Sequence, residues 1–157
     1  MPNNEHRFLV VDPAVIEHAN LQMTAYEAAF LGVARHFFET FTAPDRQCWM
    51  DAFLEAERAF PPPFGATIAH AICLVVEEMR RARKTVFSFF RNDDPIACTA
   101  MTREERYLVQ VLRGIREGRR SFAHTQAMML CDGRASDRFL AAVERLCVIT
   151  GDVDPER

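Results

Sequence analysis

His36-Phe37-Phe38-Glu39 sets an imidazole and a carboxylate three residues apart, which places both on one face of any helix that contains them. His70 and the Glu77-Glu78 pair could face them across a bundle. Helical di-iron sites need Glu-x-x-His on each of two helices, with further glutamates on the others. Here the single pair runs in the reverse order and has no twin, so a surface or capping role is the expectation. His36, Glu39 and His70 are the metal candidates of a chain expected to carry no metal and no cofactor.

Nucleophilic chemistry finds little to work with. There is no G-x-S-x-G elbow, and of the three serines, Ser88, Ser121 and Ser136, the last two read as helix caps. Cys98 is the one cysteine expected in a loop, but Asp93 and Asp94 lie close in sequence, and neighbouring carboxylates raise a thiol's pKa. Cys48, Cys73, Cys98, Cys131 and Cys147 are odd in number, widely spread and without a C-x-x-C pair, which predicts free thiols. Zinc ligation by Cys98, Cys131 and Cys147 with a histidine matches no familiar ligand spacing. Gly114 to Gly118 lacks the lysine of a phosphate-binding loop, and its glycines read as close packing and helix termination.

A nucleic-acid reading rests on charge. Residues 103–149 hold nine arginines against Glu104, Glu105, Glu117, Asp132, Asp137 and Glu144, a surplus of three. With a net charge of −3, the remainder is acidic by six. Three short helices in 102–149 match the size of a tri-helical DNA-binding unit, in which Arg119, Arg120, Arg134 and Arg138 would meet phosphates. Against this, Met129 stands where a helix-turn-helix wants a small residue, and Asp132 and Arg134 flank Gly133 where it wants apolar packing. The presented face of the last helix would be Asp137, Arg138, Ala141, Glu144 and Arg145, the mixture of an ordinary solvated surface.

These residues must be positioned by helices. Asp12-Pro13 predicts a helix start running through Val15, Ile16 and Ala19, and Thr24-Ala25-Tyr26-Glu27 has the form of a capping box. Phe30, Leu31, Ala34, Phe37, Phe38 and Phe41 recur at the period of one buried face. A further helix carries Trp49, Met50, Phe53, Leu54 and Phe60 as its inner stripe and stops at Pro61-Pro62-Pro63. The longest helix is expected over 66–90, apolar nearly all round at Val86-Phe87 and Phe89-Phe90. A break at 92–101 suggests a linker between an N-terminal lobe, 1–91, and a C-terminal three-helix unit, 102–150, within one compact whole. Thr102-Arg103-Glu104-Glu105 is a second capping box, Gly118 and Gly133 end helices, and 151–157 is a polar tail. Only Arg7 to Val11 reads as a strand, with no partner evident in the chain except a groove or a second copy.

The chain is therefore expected to be all-α, an orthogonal or irregular bundle of six to seven helices. No stretch nears the roughly 20 apolar residues of a membrane span, and a cytoplasmic location is expected. Function is expected to be non-enzymatic, through protein contacts, as a homodimeric regulatory or adaptor module that could also meet another protein. The surplus of phenylalanine places the interface at Phe37, Phe38, Phe41, Phe87 and Phe90. The alternatives are a DNA-binding transcriptional regulator that uses 102–149, with nucleic acid a less favoured partner, and a helical sensor of a small ligand or metal.

Overall fold

The computed structural model describes residues 8–14, 22–134 and 136–151. Within them the chain is an all-α bundle with six α-helices and one small parallel sheet. Strand β1 spans Phe8–Val10, α1 Ala25–Thr42, α2 Cys48–Ala59, α3 Gly65–Ala82, β2 Phe87–Phe89, α4 Arg103–Arg116, α5 Arg120–Leu130 and α6 Asp137–Thr150. A single 3₁₀ turn, Pro44–Arg46, joins α1 to α2. The helix expected from Asp12 runs mostly through residues 15–21, which lie outside the described residues; Pro13 and Ala14 form a turn whose Ala14 amide donates to Asp12.

Caps written in the sequence set the starts of two helices. At α4 the Thr102 hydroxyl accepts from the Glu105 amide at 3.0 Å, and the Glu105 carboxylate accepts from the Thr102 amide at 3.0 Å, a complete capping box. At α1 only half of the box forms. Thr24 accepts from the Glu27 amide at 3.2 Å, while the Glu27 carboxylate turns to Arg113, which donates from Nε at 2.9 Å. Ser121 does not cap α5, which begins one residue earlier and has no side-chain cap. Gly118 and Gly133 hold φ of +71° and +74°, the left-handed geometry that ends α4 and the loop after α5.

The expected helix over 66–90 is broken. It ends at Ala82, and Arg83 to Phe90 run extended, with Phe87–Phe89 forming β2. The reason is a partner that periodicity does not reveal. Strand β1 pairs with β2 in parallel, Phe8 beside Phe87 and Val10 beside Phe89, so the strand expected near Arg7 to Val11 finds its mate in its own chain. Phe87 and Phe89 point inward with Ser88 between them, and the rings of Phe8 and Phe87 both approach Phe38, at 5.0 and 4.7 Å between centroids. A clamp holds the break open: Asp132 accepts from the Lys84 amide at 2.9 Å and the Thr85 amide at 3.0 Å, and buried Arg83 donates to the carbonyls of Leu130 and Val86.

The inner face of α2 is also not the large one. Cys48, Ala52, Ala56 and, just beyond the helix, Phe60 are buried, whereas Trp49, Met50 and Leu54 are exposed and Phe53 is half-buried. Small side chains let α2 lie close against α1 and α3. At Gly65, the first residue of α3, an added Cβ would sit 2.6 Å from the Cα of Glu57. The same device brings α5 onto α4, where a Cβ on Gly114 would come within 2.9 Å of that of Ala123.

One hydrophobic cluster draws on both strands and all six helices, from Phe8 and Phe30 to Phe139 and Leu146. Segment 92–101 is packed against this body: Phe90, Ala97 and Ala100 form a second, smaller cluster with Val11 and Ile96. Its anchor is Arg35, whose Nη1 donates to the Ala97 carbonyl at 2.6 Å and Nη2 to that of Ala100 at 3.1 Å. The same guanidinium meets Glu105 twice, at 2.8 and 2.9 Å, with both side chains out of water.

Removing one member of that pair strands the other charge in the core. Glu105→Gln is expected to lower unfolding stability by about 3–5 kcal/mol in urea titrations. The joint replacement Arg35→Met with Glu105→Leu should lose clearly less than the two single changes added together. Strict additivity would show that the two groups are not coupled. Independently, Gly65→Ala is expected to cost about 1–3 kcal/mol by forcing α2 and α3 apart, with a drop in melting temperature as the readout.

Candidate functional site

The phenylalanines expected at an interface lie mostly inside the chain. Phe37, Phe38, Phe87 and Phe90 are buried in the cores just described, so they offer no surface for a partner. Strand β2 absorbs the apolar excess that a helix over 66–90 would have left uncovered. Phe41 alone of the five remains on the surface; its ring stacks on Phe8 at 5.2 Å, and the Arg80 guanidinium lies 4.8 Å from its centre.

The apolar surface that does exist belongs to α2. Trp49, Met50 and Leu54 are each close to half exposed, at 47, 47 and 48 %. Positions 49, 50, 53 and 54 adjoin one another on a helix, one turn apart or side by side. Phe53 anchors the strip from beneath, its ring edge-on to Phe37 at 6.3 Å. Exposed Arg46, Asp51, Glu57 and Arg58 stand around it, giving an apolar centre with a charged margin. This face exists because the Cys48, Ala52 and Ala56 stripe won the contact with the bundle. A four-residue repeat of small side chains was the available signal, and the larger neighbouring stripe concealed it.

The metal candidates are not brought together. Glu39 faces Arg91 at 3.1 Å and Arg46 at 3.6 Å, and His70 is exposed on α3. His36 lines a cleft of about 340 Å³ with Glu55, Asn92 and Cys98. Its buried Nδ1 has no hydrogen-bond partner among the described residues. No three His, Cys, Asp or Glu side chains among the described residues are grouped to hold a metal ion.

Some arginines of the C-terminal half are engaged, while Arg103, Arg106 and Arg145 are exposed. A cleft of about 660 Å³ lies where the start of α1 meets the ends of α4 and α6. Around it Arg113 is held by Glu27, Arg120 by Glu144 at 2.5 Å, and Arg116 lies 3.8 Å from the centre of the Tyr26 ring. Arg119 pairs with Glu117 at 2.6 Å, while Arg134 and Arg138 are exposed. Helix α5 packs chiefly on α4 and α6 chiefly on α3, and the two share little contact with each other. They are neighbours in sequence rather than a packed pair presenting one helix to a groove.

Burial also sorts the thiols. Removal from water pushes Cys131 and Cys147 up to about 11 and raises Cys48 and Cys73 as well, the last two with help from Glu39 and Glu77 respectively. Cys98 is the exposed one. Asp132 behaves oppositely: burial opposes its ionisation, but the amides of Thr85 and Lys84 and the Thr85 hydroxyl hold its carboxyl below the usual range. No helix among the described residues is long and apolar enough to cross a membrane. No family model, curated protein or solved structure matches this chain.

Alkylation at mildly alkaline pH reads the thiol order directly. Cys98 should be modified first and Cys131 and Cys147 last, because a thiol held near 11 is only about one part in a thousand ionised there. Peptide mass spectrometry showing Cys131 modified as fast as Cys98 would contradict its burial.

Proposed function

We propose that the chain works as a non-enzymatic protein-contact module that associates with itself as a homodimer, in a regulatory or adaptor role. The observation that carries this reading is the face of α2, where Trp49, Met50 and Leu54 remain exposed around half-buried Phe53. Single exposed apolar side chains are ordinary, but a group sharing one helix face is the composition of a contact surface. Tryptophan and methionine are enriched at such surfaces, and tryptophan dominates their energetics. The charged margin supports the same reading, since it keeps the isolated subunit dispersed while leaving the centre free to be covered. In the cleft between the start of α1 and the ends of α4 and α6, the charged groups are spent on each other: Glu27 pairs with Arg113 and Glu144 with Arg120.

Sedimentation equilibrium at tens of micromolar is expected to find a dimer. Leu54→Glu, which places a charge on the exposed face without touching the core, should give a monomer with an unchanged circular dichroism spectrum. A wild-type monomer throughout that range would sink the proposal.

A further inference from the structure

The exposed face of α2 carries a seam. Met50, Phe53 and Glu57 follow one another at intervals of three and four residues, the spacing that keeps side chains in one line down a helix. Trp49 and Leu54 flank that line, one on each side. Packing of α2 on α1 and α3 uses the other stripe, Cys48, Ala52 and Ala56, and leaves Trp49, Met50, Leu54 and Glu57 exposed. The two ends of the seam are charged in opposite senses. Arg46, the last residue of the 3₁₀ turn that leads into α2, is exposed at the N-terminal end. It reaches Glu39 only at 3.6 Å, and Glu39 holds Arg91 closer, at 3.1 Å. At the C-terminal end Glu57 is exposed and has no ion-pair partner among the described residues. Asp45 and Arg58 stand beside these two, one at each end, and are exposed as well, while Asp51 lies off the seam on its margin.

We infer that α2 packs antiparallel on α2 of a second copy, with Met50 against the partner's Phe53 and Arg46 against the partner's Glu57. This register rests on the self-association proposed above and gives that contact a direction. A two-fold axis level with the midpoint between residues 51 and 52 repeats every contact, so the apolar layer forms twice at the centre and the ion pair once at each end. Asp45 then lies level with the partner's Arg58. A face that is positive at one end, apolar in the middle and negative at the other is complemented by the same face reversed, which is what a second copy offers. Charge selects this direction: parallel pairing would set Arg46 beside Arg46 and Glu57 beside Glu57. With 12 residues α2 is about 18 Å long, so the seam makes a small contact of the weaker class of interface, in which the end charges carry weight.

Single and paired charge reversals read the register. At low ionic strength, where exposed charges are least screened, Glu57→Arg opposes the partner's Arg46 at both ends and should raise the dimer dissociation constant about tenfold in sedimentation equilibrium. Arg46→Glu should do the same by opposing the partner's Glu57. The double variant Arg46→Glu with Glu57→Arg should associate like the wild type, and so should an equal mixture of the two single variants, as a heterodimer. Circular dichroism should be unchanged throughout, because both side chains are exposed. Trp49, the chain's one tryptophan, flanks the seam, so its emission should shift to the blue as the wild-type chain associates. Single reversals that associate like the wild type would overturn the inference. If Leu54→Glu nevertheless gives a monomer, the antiparallel register fails while the α2 contact stands. A wild-type monomer even at hundreds of micromolar, or a dimer that forms without any change in Trp49 emission, removes both.

Discussion

The guanidinium of Arg35 and the carboxylate of Glu105 meet in the middle of the molecule with almost no exposure to water, and several segments are arranged around their need for partners. Two buried charges carry a desolvation cost that their mutual attraction offsets only when the remaining donors and acceptors are also satisfied. Here they are. Glu105 accepts from Arg35 at both oxygens, from the Phe90 amide at 3.2 Å and from the Thr102 amide at 3.0 Å. Arg35 uses its outer nitrogens on the carbonyls of Ala97 and Ala100. One ion pair thereby joins α1, the end of β2, the start of α4 and the irregular segment between them. That segment has no regular structure of its own to fix it, and the charges require one arrangement of it.

Around this centre, contact distance decides which side chains are hidden. Helices touch closely where a glycine leaves room for the neighbour, at Gly65 against the backbone of Glu57 and at Gly114 against Ala123. Small faces approach until backbones meet, and whatever lies on the other side of the helix is left outside. For α2 the excluded side carries a tryptophan, a methionine and a leucine. The exposed apolar strip is thus a consequence of close packing elsewhere.

Some arginines of residues 103–149 join elements of the fold. Arg113 ties α4 to Glu27 at the start of α1, and Arg120 ties α5 to Glu144 of α6. From the N-terminal half, Arg83 completes the turn between α3 and β2 by capping the carbonyl at the end of α5. A guanidinium suits these tasks because it offers several donors in a fixed plane and can be drawn out of water more cheaply than an ammonium.

Local pattern was enough for much of the fold. The all-α class, the capping box at Thr102 and Glu105, the left-handed ends at Gly118 and Gly133, and the stop after Phe60 are written within a few residues each, because they depend on backbone groups satisfied nearby. The candidate surface was not legible in the same way. Two apolar stripes run along α2, and hydrophobicity favours the larger one; only the closeness of α1 and α3 gives the contact to the smaller. Likewise Val86 to Phe90 continue a helical period until Phe8 arrives from far away in sequence and offers backbone partners. Arg35 and Glu105 are two charged residues among many until folding brings them together. What the sequence determined alone was how each segment satisfies its own ends. Which faces met, which were left to solvent, and where a helix gave way to a strand were decided by contacts between distant residues, whose energies no local window contains.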